Sequence, residues 1–132
     1  MISNFVKGKE AGFYFVFRVF IGVFFTLHGM QKIFGMFGGK VVASMSLFWW
    51  AGVIELVGGL FIFLGLFARL AALISAVEML VAYFYVHAPQ GPIPLQNGGE
   101  LALLYFAGFL VVVAYGAGKW SLEKMLWKKE MF

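Results

Sequence analysis

Arg18, His28, Lys32, Glu55, Glu78, His87 and Glu100 stand inside, or at the ends of, long apolar runs of this 132-residue chain. An ionisable group facing lipid costs several kcal/mol, so such groups turn to a bundle interior, where they pair, bind or move protons. Two groupings follow from depth along a helix rising about 1.5 Å per residue. Arg18, Glu55 and Glu78 fall near the middle of their runs and read as a buried charge network of one cation and two carboxyls. With two carboxyls to one cation, the second Glu is either protonated or paired with something else. His28, Gln31, Lys32, His87, Asn97 and Glu100 gather instead at one membrane face, where donors and a proton-carrying group meet beside aromatic residues. His28, Lys32, Glu55 and Glu100 are the candidate catalytic groups there, and Gln31, Asn97 and His87 the candidate cofactor-binding ones. The bland readings stand beside these. An Arg–Glu clamp can simply fix helix packing, Lys32 can snorkel to the surface, and the two histidines can cap helix ends.

The elements that must carry these groups are spans. Hydrophobic residues make up 63% of the chain and charged residues 12%, too few charges to cover a soluble domain of this size. Spanning helices need about 20 mostly apolar residues. Four runs qualify, at about 12–34, 46–67, 69–88 and 99–116. Their apolar character is continuous rather than alternating, which favours helices over strands of a barrel. The expected fold is all-α: one domain over residues 1–132, a polytopic bundle of four transmembrane helices. A short amphipathic helix is expected in the interfacial tail at 118–132, with Ser121 as its N-cap and Glu123 in its first turn. The first run follows Lys7 and Lys9 and reads as a retained signal anchor.

Four spans put both ends on one side. Lys7, Lys9, Arg69, Lys119, Lys124, Lys128 and Lys129 lie there, against Lys32 and Lys40 on the other. The positive-inside rule then places both termini in the cytoplasm and the loops 35–45 and 89–98 outside. Lipid is the expected surroundings, and nucleic acid is not an expected partner. Small-residue faces at Gly52, Gly58 and Gly59, beside Glu55, and at Ala71, Ser75 and Ala82, beside Glu78, mark helix contacts and leave room for a homo-oligomer. One spacing conflicts with the picture: nine residues separate Glu78 from His87, which sets them on opposite faces of a straight helix. Either the helix unwinds before Pro89 or His87 points elsewhere.

Cysteine is absent, so the chain itself carries no thiol exchange and no thiolate metal site. No H-E-x-x-H, P-loop or dinucleotide fingerprint occurs, and no metal site is expected. Redox work would need a bound organic cofactor or a partner subunit.

Arg18, the segment H-G-M-Q-K-I-F-G-M-F-G-G at 28–39, and Glu55 with Gly58-Gly59 together resemble the DoxX family. So do G-L-F-A-R-L at 65–70, N-G-G-E-L-A at 97–102 and G-A-G-K-W-S-L at 116–122. The resemblance covers about residues 12–123. It implies a small four-helix protein of the prokaryotic plasma membrane, related to a subunit of a thiosulfate:quinone oxidoreductase. The family pattern maps onto His28, Gly29, Lys32, Glu55, Asn97, Gly98, Gly99 and Glu100. On that basis a quinone-type ring is expected at the outer rim, its carbonyls accepting hydrogen bonds from His28 and Lys32, with Glu100 or Glu55 moving protons. Whether the chain is itself an oxidoreductase stays open. The alternative is a non-catalytic membrane scaffold that docks a partner protein or holds a small apolar ligand. A proton-coupled transporter ranks last, because neither broken helices nor inverted repeats are visible.

Overall fold

A computed structural model describes residues 1–131; Phe132, the last residue of the expected tail, lies outside the described residues. Helices α1 (Ile2–Val6), α2 (Glu10–Phe34), α3 (Leu47–Leu64) and α4 (Ala68–Ala82) are followed by a π-helical turn (Tyr83–His87) and a 3-10 turn (Ala88–Gln90). Helices α5 (Pro94–Asn97), α6 (Glu100–Tyr115) and α7 (Leu122–Trp127) complete the chain. No strand occurs among the described residues. Three helical segments, Glu10–Phe34, Leu47–Leu64 and Ala68–Gln90, are long and apolar enough to cross a membrane, and α6 is a shorter apolar helix.

Local chemistry sets the boundaries. The Ser46 side chain accepts a hydrogen bond from the Trp49 N–H and starts α3. Gly65 ends it in the left-handed conformation at φ 70°, with Leu66 N–H bonded to Phe61 C=O and Gly65 N–H to Ile62 C=O. This is the paired closure that lets a helix stop within two residues, and it allows the tight hairpin into α4. Ser121 caps α7 by accepting from the Lys124 N–H, as its position in the sequence suggests.

Two helix pairs make the body. Helices α2 and α3 touch backbone to backbone: a Cβ on Gly22 would lie 2.8 Å from the Phe63 Cα and 2.9 Å from the Gly59 carbonyl oxygen, and one on Gly29 would meet Leu56 and the Gly52 carbonyl. Without a hydrophobic drive inside lipid, this close approach is what holds helices together. Helix α4 with the first residue of the π-helical turn packs on α6 through buried stripes at helical spacing, Ala68, Ala72, Ala76, Met79 and Tyr83 against Ala102, Tyr105, Phe109 and Val112. Phe25 joins the pairs, its ring 4.6 Å from Phe109 and 5.2 Å from Tyr105. Large apolar side chains such as Phe20, Leu60, Leu73 and Val77 point outward, as lipid-facing residues do.

Candidate functional site

Lys32, in the last turns of α2, reaches across to α3 and pairs with Glu55, Nζ to Oε1 2.5 Å. Glu55 is 3% exposed. Gly52, one turn before it, makes room for the lysine stem: a Cβ there would lie 2.9 Å from the Lys32 Cβ. The second oxygen of Glu55 has no hydrogen-bond partner. His28 lies within electrostatic reach of the pair.

A cavity of about 640 Å³ opens along the seam between α3 and α4, beside this pair. Its walls are apolar and aromatic (Phe48, Trp50, Ile54, Val77); Lys32, Glu78 and His87 are its ionisable groups of the spans, and Tyr85 adds a hydroxyl and Trp50 an indole N–H. Glu78 is 9% exposed, and neither of its oxygens has a hydrogen-bond partner. A second hollow continues the seam toward the hairpin turn, where Ser75 is fully buried with its hydroxyl also unpartnered.

The structure resolves the conflict between Glu78 and His87. The π-helical turn at Tyr83–His87 holds more residues per turn than an α-helix, so the side chains after it fall behind the α-helical phase. His87 therefore lines the same cavity as Glu78. Its Nδ1 lies 3.3 Å from the backbone oxygen of Asn97. Asn97 is buried and ties the Pro-rich loop together: its Nδ2 donates to Gly91 C=O at 2.8 Å, and its Oδ1 accepts from Gly99 N–H at 2.8 Å. Asn97 thus holds His87 rather than facing the cavity itself.

The expected single rim divides in two. His28 and Gln31 open on a different cavity of about 500 Å³ between α2 and α6, shared with Tyr105, Phe24 and Leu101. The His28 ring stands edge-on to Tyr105 with centroids 5.8 Å apart, and Gln31 donates to the Phe37 carbonyl at 3.3 Å. His28 and Lys32 are four residues apart, and the helix turns one toward α6 and the other toward α3. A ring gripped by both at once is therefore replaced by two separate cavities. Glu100 is exposed at the start of α6 and lines neither of them.

Arg18 is the larger correction. It is buried, 1% exposed, but it meets neither Glu55 nor Glu78. Its guanidinium donates to the carbonyls of Ile62 (2.6 Å) and Phe63 (3.0 Å) in the last turn of α3, and to that of Trp120 (2.6 Å) in the tail. It is a helix cap that also anchors the tail. Arg69 does the same for α6, donating to the carbonyls of Val113 (2.8 Å) and Ala114 (3.1 Å), and it pairs with Glu130. The ionisable groups that the spans bring together are therefore half-buried Lys32 and buried Glu55 and Glu78.

Sequence reasoning did not single out Tyr105 or the burial of Glu123. Tyr105 continues the stripe that buries Phe109 and looks like core in the sequence. Glu123, in the first turn of α7, is completely buried and accepts the Met131 N–H at 2.7 Å. Among the described residues no three His, Asp or Glu side chains converge as a metal ion would require.

Comparison with known proteins follows this geometry. The DoxX family model matches residues 13–88. An uncharacterized protein of Haemophilus influenzae (strain ATCC 51907 / DSM 11121 / KW20 / Rd) is 44% identical over 119 residues, 85% of this chain and 89% of that protein. A second uncharacterized protein of the same organism is 32% identical over 74 residues, 56% of this chain and 49% of its own length. No solved structure matches the chain.

Proposed function

The chain belongs to the DoxX family and is an integral membrane protein; from that premise we propose that it is a quinone- or redox-associated membrane subunit whose ligand lies in the seam between α3 and α4. Helix α6 acts as the fourth span, and both termini face the cytoplasm of a prokaryotic cell, with the basic residues of the ends and of the hairpin turn at that face. The observation that carries the reading is Glu78: a carboxyl more than nine-tenths buried, with both oxygens unpartnered, in the wall of a lipid-facing cavity. An unsatisfied buried carboxyl is expensive, and a ligand that bonds to it removes the cost.

The cavity fits a quinone-type head group. Its volume of about 640 Å³ lies inside the common range for small-molecule sites, and its build, apolar walls with a few polar groups, is typical of them. Such a ring supplies reversible two-electron, two-proton chemistry when bound. Lys32 keeps N–H donors beyond the one given to Glu55 and orients an oxygen of the ring. His87 bonds to the opposite side. Glu78 stands where it can take or give a proton, within electrostatic reach of Glu55 and Lys32. Trp50 and Phe48 exclude water and contact the ring. The chain has no cysteine, so electrons reach or leave the ring through a bound organic cofactor or a partner subunit.

A short-chain quinone analogue titrated into the purified protein in detergent should quench Trp50 saturably. Glu78→Leu should weaken that binding by about tenfold while the protein stays folded. Undiminished binding by folded Glu78→Leu removes the assignment. The second reading, a scaffold that holds a partner or an apolar ligand, draws on Arg18 and Arg69, whose two caps tie four helices and the tail together without any role in the cavity.

A further inference from the structure

The contact between His87 Nδ1 and the Asn97 carbonyl decides more than the ring's position. A carbonyl oxygen accepts hydrogen bonds and cannot donate one, so at 3.3 Å the hydrogen must sit on Nδ1. In the neutral imidazole the other nitrogen, Nε2, is then a bare acceptor. The Nδ1 edge is the one turned to the loop, since a Cβ at Gly98 would lie 3.7 Å from Nδ1 and 4.0 Å from Cε1. His87 also lines the cavity, and the ring edge that the loop contact leaves over is the Nε2 side. Glu78 adds to this. As a carboxylate it offers only acceptors, and as an acid it still keeps a carbonyl oxygen free. Of the donors carried by the lining residues, the Lys32 ammonium is partly committed to Glu55, and the Trp50 indole N–H and the Tyr85 hydroxyl stand beside it.

We propose that His87, held as the Nδ1–H tautomer by the Asn97 carbonyl, makes this cavity selective for a ligand that brings its own hydroxyl: a ring in the reduced, quinol-like form in preference to the carbonyl form. Asn97 is the positioning residue. Its side chain clamps Gly91 and Gly99, which fixes the loop whose carbonyl sets the tautomer, while the π-helical turn swings His87 into the cavity. This selectivity rests on the assignment of a ring ligand to this cavity.

The chain holds two histidines, so nitrogen-15 magnetic resonance of histidine-labelled protein in micelles reads the tautomer directly, with His28→Ala assigning the signals. The expected result is the Nδ1–H tautomer at His87, shifting toward a mixture in Asn97→Ala. An Nε2–H tautomer in the native protein overturns the proposal with no ligand involved. In parallel, decylubiquinol and decylubiquinone are titrated against Trp fluorescence under matched, anaerobic conditions. The quinol should bind about tenfold tighter, and His87→Leu should erase the difference. Where His87→Leu does not fold, His87→Gln, which offers both a donor and an acceptor, should narrow it. Equal or tighter binding of the quinone overturns the selectivity but leaves the ring site standing. Binding of neither form removes the ring site and the selectivity with it, even where the tautomer is as expected.

Discussion

Glu78 and Lys32 line one cavity, yet the lysine turns away to Glu55, 2.5 Å from its carboxylate, and leaves Glu78 without a hydrogen bond. One cation between two carboxyls satisfies only one of them. The pair on α2 and α3 is thereby a structural bond, and the carboxyl on α4 is free for a ligand.

The Lys32–Glu55 pair should behave as a bond whose loss is felt through the buried partner. Lys32→Met leaves Glu55 uncompensated and should lower stability by about 1–3 kcal/mol, since removing one member of a buried pair costs more than the pair is worth. Replacing both, as Lys32→Met with Glu55→Gln, should recover part of that loss. Unfolding in a detergent series, read as a double-mutant cycle, gives the coupling; additive single effects would mean that the pair contributes nothing.

The α2–α3 contact should tolerate no side-chain atom at its closest points. Gly29→Ala pushes a methyl into the backbone of Leu56, and Gly22→Ala one into that of Phe63. Each should cost about 2 kcal/mol or more, because backbone cannot move aside as a rotamer does. Gly12→Ala, where the nearest atom is 3.7 Å away on Trp120, should be neutral or slightly stabilising. Melting temperatures of the three variants test the order.

Arg18 should matter for the tail and not for the cavity. Arg18→Gln removes donors from the ends of α3 and from Trp120, so amide exchange should rise across residues 120–131 while quinone-analogue binding stays within about twofold. A collapse of binding with an unchanged tail would return Arg18 to the charge group of the spans.

Topology is open to labelling, because the native chain has no cysteine. Single cysteines at the exposed positions Ser3, Lys40, Gln90 and Lys129 should divide two and two with a membrane-impermeant thiol reagent. Those at 40 and 90 should react from outside the cell, and those at 3 and 129 only after permeabilisation. Reaction of 3 and 129 from opposite sides would mean that α6 does not span.

Much of this arrangement is legible in the sequence, and the exceptions share a cause. Hydropathy and turn residues locate the long helices within a few residues. The small residues around Glu55 announce a close contact, though not that Gly22 and Gly29 answer Gly52 and Gly59 from α2. Helix phase fails where the backbone stops being an α-helix: Pro89 marks that the helix can unwind, but not that it does so as a π-helical turn over Tyr83–His87, which changes which groups share a cavity. Arg18 was misplaced because charge invites pairing with charge. Its partners are carbonyls, which every sequence contains and none displays, presented by the end of α3 and by a tail that folds back from more than 100 positions away. His28 and Lys32 stand one helical turn apart, and spacing alone did not reveal that a cavity opens on each side of them.

The central claim, that the seam between α3 and α4 holds the ligand beside Glu78, is tested most directly by photo-crosslinking. An azido-quinone probe is irradiated with the purified full chain, with excess unlabelled short-chain quinone as competitor, and the attachment sites are mapped by mass spectrometry. Competable labelling confined to residues 47–54 and 73–87, and reduced in Glu78→Leu, is the result expected. Competable labelling at residues 24–31 and 101–105 would place the ligand in the His28–Tyr105 cavity and contradict the account.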